Sequence, residues 1–232
     1  MAVAFGSNKM ALSAARISPQ NGKASTLVVL LHGYGADGED LIELAGPLAK
    51  VLPDAAFVAP NAPYPCPGAR FMWFAIRDLD PQAMHQGVTE AAPLLKAFLR
   101  EELQRLGLGA DRLILIGFSQ GTMLSLHLAL EGFGPAAVVG FSGVLTGPAA
   151  TPQQALPPFF LAHGGADPVI PADALFMTAG ALAAAGARVQ WHLTPGMGHG
   201  IDAYGLALAG EFLRLVLSGR SVAEGPASAL LR

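Results

Sequence analysis

The run Leu113-Ile114-Leu115-Ile116-Gly117-Phe118-Ser119-Gln120-Gly121 constrains this chain more than any other stretch. An apolar, strand-like segment ends in G-F-S-Q-G, and a helical pattern follows at once. Ser119 therefore stands at the apex of a strand–turn–helix. A turn this tight has no room for a Cβ two positions before or two after the serine, because strand and helix crowd each other there. The turn pushes the Ser119 hydroxyl off the sheet edge. It also aims a helix N-terminus at the same point, where positive partial charge favours a developing oxyanion.

The rest of the chain alternates. Thr26 to Leu31 and Ala55 to Ala59 are continuous apolar runs, as strands buried on both faces require. Arg112 to Phe118, Ala136 to Phe141, Pro158 to Ala162 and Arg188 to Leu193 also read as strands. Helical spacing covers Glu39 to Val51, Gln82 to Leu106, Gln120 to Leu130, Ala172 to Ala185 and Ile201 to Leu217. This order predicts one α/β domain over 25–217, with a mostly parallel sheet and helices on both faces. Residues 1–24 form an N-terminal edge segment, with a short edge strand and a loop. Residues 218–232 form a small-residue-rich C-terminal tail. In such sheets the site lies at the carboxyl ends of the strands.

A serine hydroxyl is too weakly acidic to attack unaided. It needs an imidazole, and the imidazole needs an acid to fix its tautomer. Of the six histidines, His199 lies between glycines in Thr194-Pro195-Gly196-Met197-Gly198-His199-Gly200, the loop between the last strand and the last helix. That freedom of approach makes it the candidate base. His192 and His127 lie inside a strand and a helix and read as structural or surface groups, and His85, at a helix start, reads as exposed. His32 opens the first strand-to-helix loop, where it can orient backbone, and His163 ends a strand behind the site.

Asp167, in His163-Gly164-Gly165-Ala166-Asp167-Pro168, follows a buried strand and is the candidate acid. Asp111 and Asp54 fall at the opposite ends of their strands. Asp37, Asp78 and Asp80 read as loop charges or caps, and Asp202 as a helix cap. The order Ser119, Asp167, His199 is the one this elbow fold requires. The oxyanion needs two backbone N–H donors, for which Gln120 and Tyr34 are placed.

The net charge of −3 gives no basic field for nucleic acid or an anionic membrane. The single cysteine, Cys66, excludes an intramolecular disulfide and a cysteine-cluster metal site, and reads as a small loop residue. No charged side chain occurs from Gly132 to Ala166, but glycines and prolines cut that stretch into pieces too short to span a membrane. Residues 1–10 lack a signal-peptide pattern, so a cytoplasmic protein without stable membrane insertion is expected. No nucleotide-binding glycine motif occurs. A metal site from His163, Asp167 and His199 lacks the short histidine spacing of such motifs. No cofactor is expected, and a homodimer is compatible with the sequence. A catalytically silent α/β binding module is the reading from another class.

Four motifs occur in order: L-H-G-Y-G-A-D-G at Leu31 to Gly38, G-F-S-Q-G at Gly117 to Gly121, A-D-P-V-I-P at Ala166 to Pro171, and G-M-G-H-G-I at Gly196 to Ile201. Together they resemble the phospholipase/carboxylesterase family of α/β hydrolases, which includes the acyl-protein thioesterases. The resemblance spans about Leu27 to Leu217. It implies a compact α/β-hydrolase fold without a large lid, acting on a small-molecule ester. It implies Ser119 as nucleophile, Asp167 as acid, His199 as base, and Tyr34 and Gln120 as oxyanion donors. It also implies a substrate pocket lined by Trp73 and Phe74, in Arg70-Phe71-Met72-Trp73-Phe74. Leu145 and Val169, in loops beside the triad, are further pocket candidates. Esters of short or medium acyl chains are the expected substrates, with acyl-protein thioesters and lysophospholipids as the alternative.

Overall fold

The computed structural model describes residues 12–76, 80–148 and 155–219. The outer parts of the N-terminal segment and of the C-terminal tail, and Asp78, lie outside the described residues. The first strands are β1 (Ala14–Ile17), β2 (Thr26–Leu31) and β3 (Ala55–Pro60), with short helices α1 (Gly38–Leu41) and α2 (Ala45–Ala49) between β2 and β3. A small hairpin of β4 (Tyr64–Pro65) and β5 (Phe71–Met72) precedes the long helix α3 (Pro81–Leu106). Then follow β6 (Leu113–Phe118), α4 (Gln120–Leu130), β7 (Ala137–Phe141), β8 (Phe159–Gly164), α5 (Asp173–Ala184), β9 (Val189–Thr194) and α6 (Ala203–Leu217).

The main sheet runs β1-β3-β2-β6-β7-β8-β9. Only β1 is antiparallel, pairing Ala14 with Pro60 and Ile17 with Phe57. The other neighbours pair in parallel. The unbroken apolar runs serve two cores at once. Leu27, Val29, Leu31, Leu113 and Leu115 face α3, α4 and α5, where they meet Val88, Leu95, Leu99, Leu124 and Leu182. Val28, Leu30, Ile114 and Ile116 face the other way, onto Leu48, Leu206, Phe212 and Leu213 of α2 and α6. Successive side chains of a strand point to opposite faces, so a strand covered on both sides has no polar positions left.

The sequence reading of one helix over Glu39 to Val51 is corrected. The chain there breaks into α1, a 3-10 turn at Ile42–Leu44, and α2. Pro47 has no N–H to give to the carbonyl four residues back, and Gly46 beside it favours no single conformation. By contrast, α3 continues through Pro93, held by a face of Val88, Ala91, Ala92, Leu95 and Leu99 against the core. Asp80 caps it, accepting from the N–H of Ala83 at 2.7 Å.

Candidate active site

At the elbow, β6 ends and α4 begins with Ser119 held at φ 52°, ψ −113°. A β-carbon is rarely tolerated at positive φ, so this conformation stores strain. The glycine requirement is steric. A Cβ on Gly117 would strike the backbone of Gly121 and Thr122, and a Cβ on Gly121 would strike the carbonyl of Leu31. The Ser119 N–H donates to Phe141 O at 3.0 Å, which ties the turn to β7.

Asp167 sits in the loop after β8, with its side chain fully buried. One carboxylate oxygen, Oδ1, accepts from the N–H groups of Val169 and Ile170 at 2.8 and 2.9 Å. The other, Oδ2, accepts from His199 Nδ1 at 2.7 Å. Burial pushes this carboxyl up, but the hydrogen bonds from His199, Ile170 and Val169 outweigh it, so the net displacement is downward and the group is an anion. With Nδ1 committed to Asp167, the Nε2 of His199 is the nitrogen left to act as a base. The imidazole lies against the ring of Phe118, with centroids 4.9 Å apart, which brings it over the residue next to Ser119.

The loop that carries His199 is fixed at several points. Ala166 N–H donates to Met197 O, and Met197 N–H to Thr194 O. Thr194 Oγ1 donates to Asp202 Oδ2 at 2.5 Å, and Asp202 Oδ1 caps α6 at Gly205 N. Ser142 Oγ donates to the carbonyl of Gly200 at 3.1 Å. Sequence reasoning missed the tethers from Ser142 and Thr194. Neither belongs to a motif; the partner of Ser142 is a carbonyl distant in sequence, and that of Thr194 is a nearby carboxylate that reads only as a helix cap.

The first loop lies against the elbow. A Cβ on Gly33 would come within 3.1 Å of Ser119 Cβ and 2.9 Å of Phe118 Cδ1, so the backbone leading into Tyr34 passes beside Ser119. Among the described residues, no backbone carbonyl accepts from the N–H of Tyr34 or of Gln120. His32 is fully buried: its Nδ1 meets Gly33 O at 2.7 Å and its Nε2 accepts from Ala62 N at 3.0 Å. An Nε2 that accepts carries no proton, so this ring is neutral, and burial pushes it down in agreement.

The proposed pocket residues lie in different settings. Trp73 is 1% exposed, and its indole N–H donates to His32 O at 3.0 Å. Phe74 is 5% exposed and packs on Gly87 of α3. The Gln120 side chain fastens both, accepting from Trp73 N at 3.1 Å and donating to Phe74 O at 2.8 Å. Both aromatics are thus packed and tied beneath the elbow, and Phe74 also borders a cavity of about 440 Å³ with Met84 and Gly87. Leu145 borders a cavity of about 320 Å³ with His85, His127 and Thr146, whose described walls include neither Ser119 nor His199. Its N–H donates to Thr178 Oγ1 at 3.0 Å. Val169 and Tyr34 are well exposed.

His85, expected to be exposed, is half-buried, with its ring 6.0 Å from that of His127. Asp37 is a cap, as one reading had it, but not a solvated one: it is buried, accepts from Asp40 N and pairs with Arg70. Cys66 is buried. Among the described residues, no group of three or more histidine, cysteine, aspartate or glutamate side chains is arranged to hold a metal ion. None of the described helices is long and apolar enough to cross a membrane.

The pattern of the phospholipase/carboxylesterase family matches residues 12–217. Esterase YpfH of Escherichia coli is 29% identical over 197 residues, covering 84% of both chains. An acyl-protein thioesterase 1 of Debaryomyces hansenii is 28% identical over 89% of this chain and 97% of its own. The crystal structure of esterase PE8 superposes with a TM-score of 0.82 at 37% identity, covering 89% of this chain and 99% of that one. With this fold, this elbow and a match over nearly its whole described length, the chain belongs to the phospholipase/carboxylesterase family of α/β hydrolases.

Proposed function

We propose that the protein is a serine carboxylesterase that cleaves carboxylic esters of short or medium acyl chains through an acyl-enzyme on Ser119. The observation that carries this reading is the 2.7 Å hydrogen bond from His199 Nδ1 to the buried Asp167, made by an imidazole tilted against Phe118 at the strained elbow. His199 Nε2 takes the Ser119 proton as Oγ bonds to the ester carbonyl carbon. The carbonyl oxygen becomes an oxyanion and is held by the N–H groups of Tyr34 and Gln120. Collapse breaks the bond to the alcohol oxygen, which receives the proton from His199. Water then attacks the acyl-enzyme by the same route and frees Ser119 and the acid.

A fluorophosphonate probe followed by digestion tests the nucleophile. Labelling is expected on Ser119 alone, and loss of both label and esterase activity in Ser119→Ala. Labelling of Ser142 instead would overturn the reading. The likeness to a relative named acyl-protein thioesterase supports a second substrate class. A chain-length series run in parallel on esters, thioesters and lysophospholipids separates the two.

A further inference from the structure

Behind the Asp167 carboxylate lies a second imidazole. His163 is the penultimate residue of β8 and is 2% exposed. Its Nε2 stands 2.9 Å from the carbonyl oxygen of Ile170 and 3.3 Å from Asp167 Oδ2. The carbonyl can only accept, so this nitrogen carries a proton. We infer that His163 is a positioning residue for the proposed triad, fixing the Asp167 carboxylate through the Ile170 segment that binds its Oδ1.

The route is through Ile170. His163 grips the carbonyl of the residue whose own N–H binds Oδ1. The turn from His163 to Ile170 is thus closed on itself, and Asp167 is held between its ends. Oδ2 takes His199 Nδ1 at 2.7 Å, and Oδ1 takes the N–H groups of Val169 and Ile170. The proton on His163 Nε2 goes to the carbonyl of Ile170, so the ring braces the segment that supplies the Oδ1 donors, and its 3.3 Å approach to Oδ2 is proximity alone. Without His163 the buried carbonyl of Ile170 loses its partner, the segment loosens and the carboxyl group is freer to rotate away from His199.

This inference rests on the serine-hydrolase reading above. It is tested with His163→Phe, which keeps a buried ring but removes the donor, and His163→Gln, whose amide nitrogen can reach the place of Nε2. Each variant is titrated with fluorophosphonate so that kcat is referred to reactive sites. The expectation for His163→Phe is a kcat lower by about tenfold or more with KM changed less than about twofold, and for His163→Gln a return most of the way. The downfield proton resonance of the His199–Asp167 hydrogen bond should move or broaden in His163→Phe and be restored in His163→Gln. A packing role alone would lower the melting temperature and leave kcat per site and the resonance in place, which would overturn the inference. If His163→Phe does not fold, nitrogen-15 histidine spectra of the unaltered protein decide: a proton on His163 Nε2 is expected, and one on Nδ1 instead refutes it. Full activity in Ser119→Ala would remove the parent reading and this one together. Loss of activity there, with unchanged kcat in His163→Phe, would remove this one alone.

Discussion

Replacing Asp167 by asparagine changes one atom, and the structure dictates what that atom does. The two backbone N–H groups at Oδ1 come from Val169 and Ile170, and both must keep an acceptor. The asparagine therefore turns its carbonyl oxygen to them. The reverse orientation would face an NH₂ with two buried donors, at about 1–3 kcal/mol each. The NH₂ then occupies the place of Oδ2, opposite His199 Nδ1. A donor there forces Nδ1 to accept, so the imidazole proton moves to Nε2, the nitrogen that must receive the proton of Ser119. The ring stays in place in the wrong tautomer, without the anion that steadies its charged form.

Loss of an orienting aspartate of this kind lowers turnover by about 10⁴-fold, or roughly 5.5 kcal/mol of transition-state stabilisation. Initial rates on a p-nitrophenyl ester series read kcat and KM, and a thermal melt checks that the fold survives. Fluorophosphonate labelling of Ser119 should slow in parallel, since it needs the same base. A kcat within tenfold of the parent, in a folded Asp167→Asn protein, would refute this account of the acid.

Three other outcomes are expected. Gln120→Leu leaves the buried N–H of Trp73 and carbonyl of Phe74 without partners, costing about 2–4 kcal/mol in urea denaturation; a loss under about 0.5 kcal/mol would contradict the scaffold role of that side chain. Ser142→Ala removes the tether to Gly200 and should cost about 1 kcal/mol, with a severalfold fall in kcat and unchanged labelling at Ser119. Stability should fall in two stages on acidification. Burial lowers the pKa of His32 and His127, so the unfolded chain binds their protons first and stability declines as pH drops below about 6.5. In Asp167, Asp202 and Glu102 burial raises the pKa, but hydrogen bonds from His199, Gly205 and Arg16 outweigh it. Their stabilisation is present above about pH 4.5 and lost below it. A urea midpoint flat from pH 7 to pH 4 would contradict the assignment of neutral buried histidines.

What the sequence made legible is what depends on local pattern. The apolar runs at Thr26 to Leu31 and Leu113 to Phe118 could only be strands covered on both faces, and two cores cover them. The juxtaposition of Asp167 and His199 was legible because each follows a parallel strand and so arrives at the same rim. Contacts between distant segments were not. Nothing near Trp73 in sequence announces that its indole is committed to His32 or its amide to Gln120. The break in the helix after Asp37 was legible in Gly46-Pro47, but helical spacing of the apolar residues masked it.

The strain at Ser119 belongs to a wider arrangement. Among the described residues, Ser119 and Ser142 are the non-glycine positions with positive φ, at 52° and 46°. They follow β6 and β7, neighbouring parallel strands that end at the same rim. Each uses its N–H to extend the sheet by one bond beyond its strand, Ser119 to Phe141 O and Ser142 to Ala162 O. The chain then turns sharply while still fastened to the next strand. One turn sets the buried Ser119 at the head of α4, and the other turns a hydroxyl onto the carbonyl of Gly200, beside His199. Strain of about 1–3 kcal/mol at each is small beside a core in which β2, β3, β7 and β8 are buried at every position. The rigid sheet thus holds the backbone at both serines in conformations that free loops would relax, and the proposed nucleophile and the loop of its proposed base are registered to adjacent strands of that sheet.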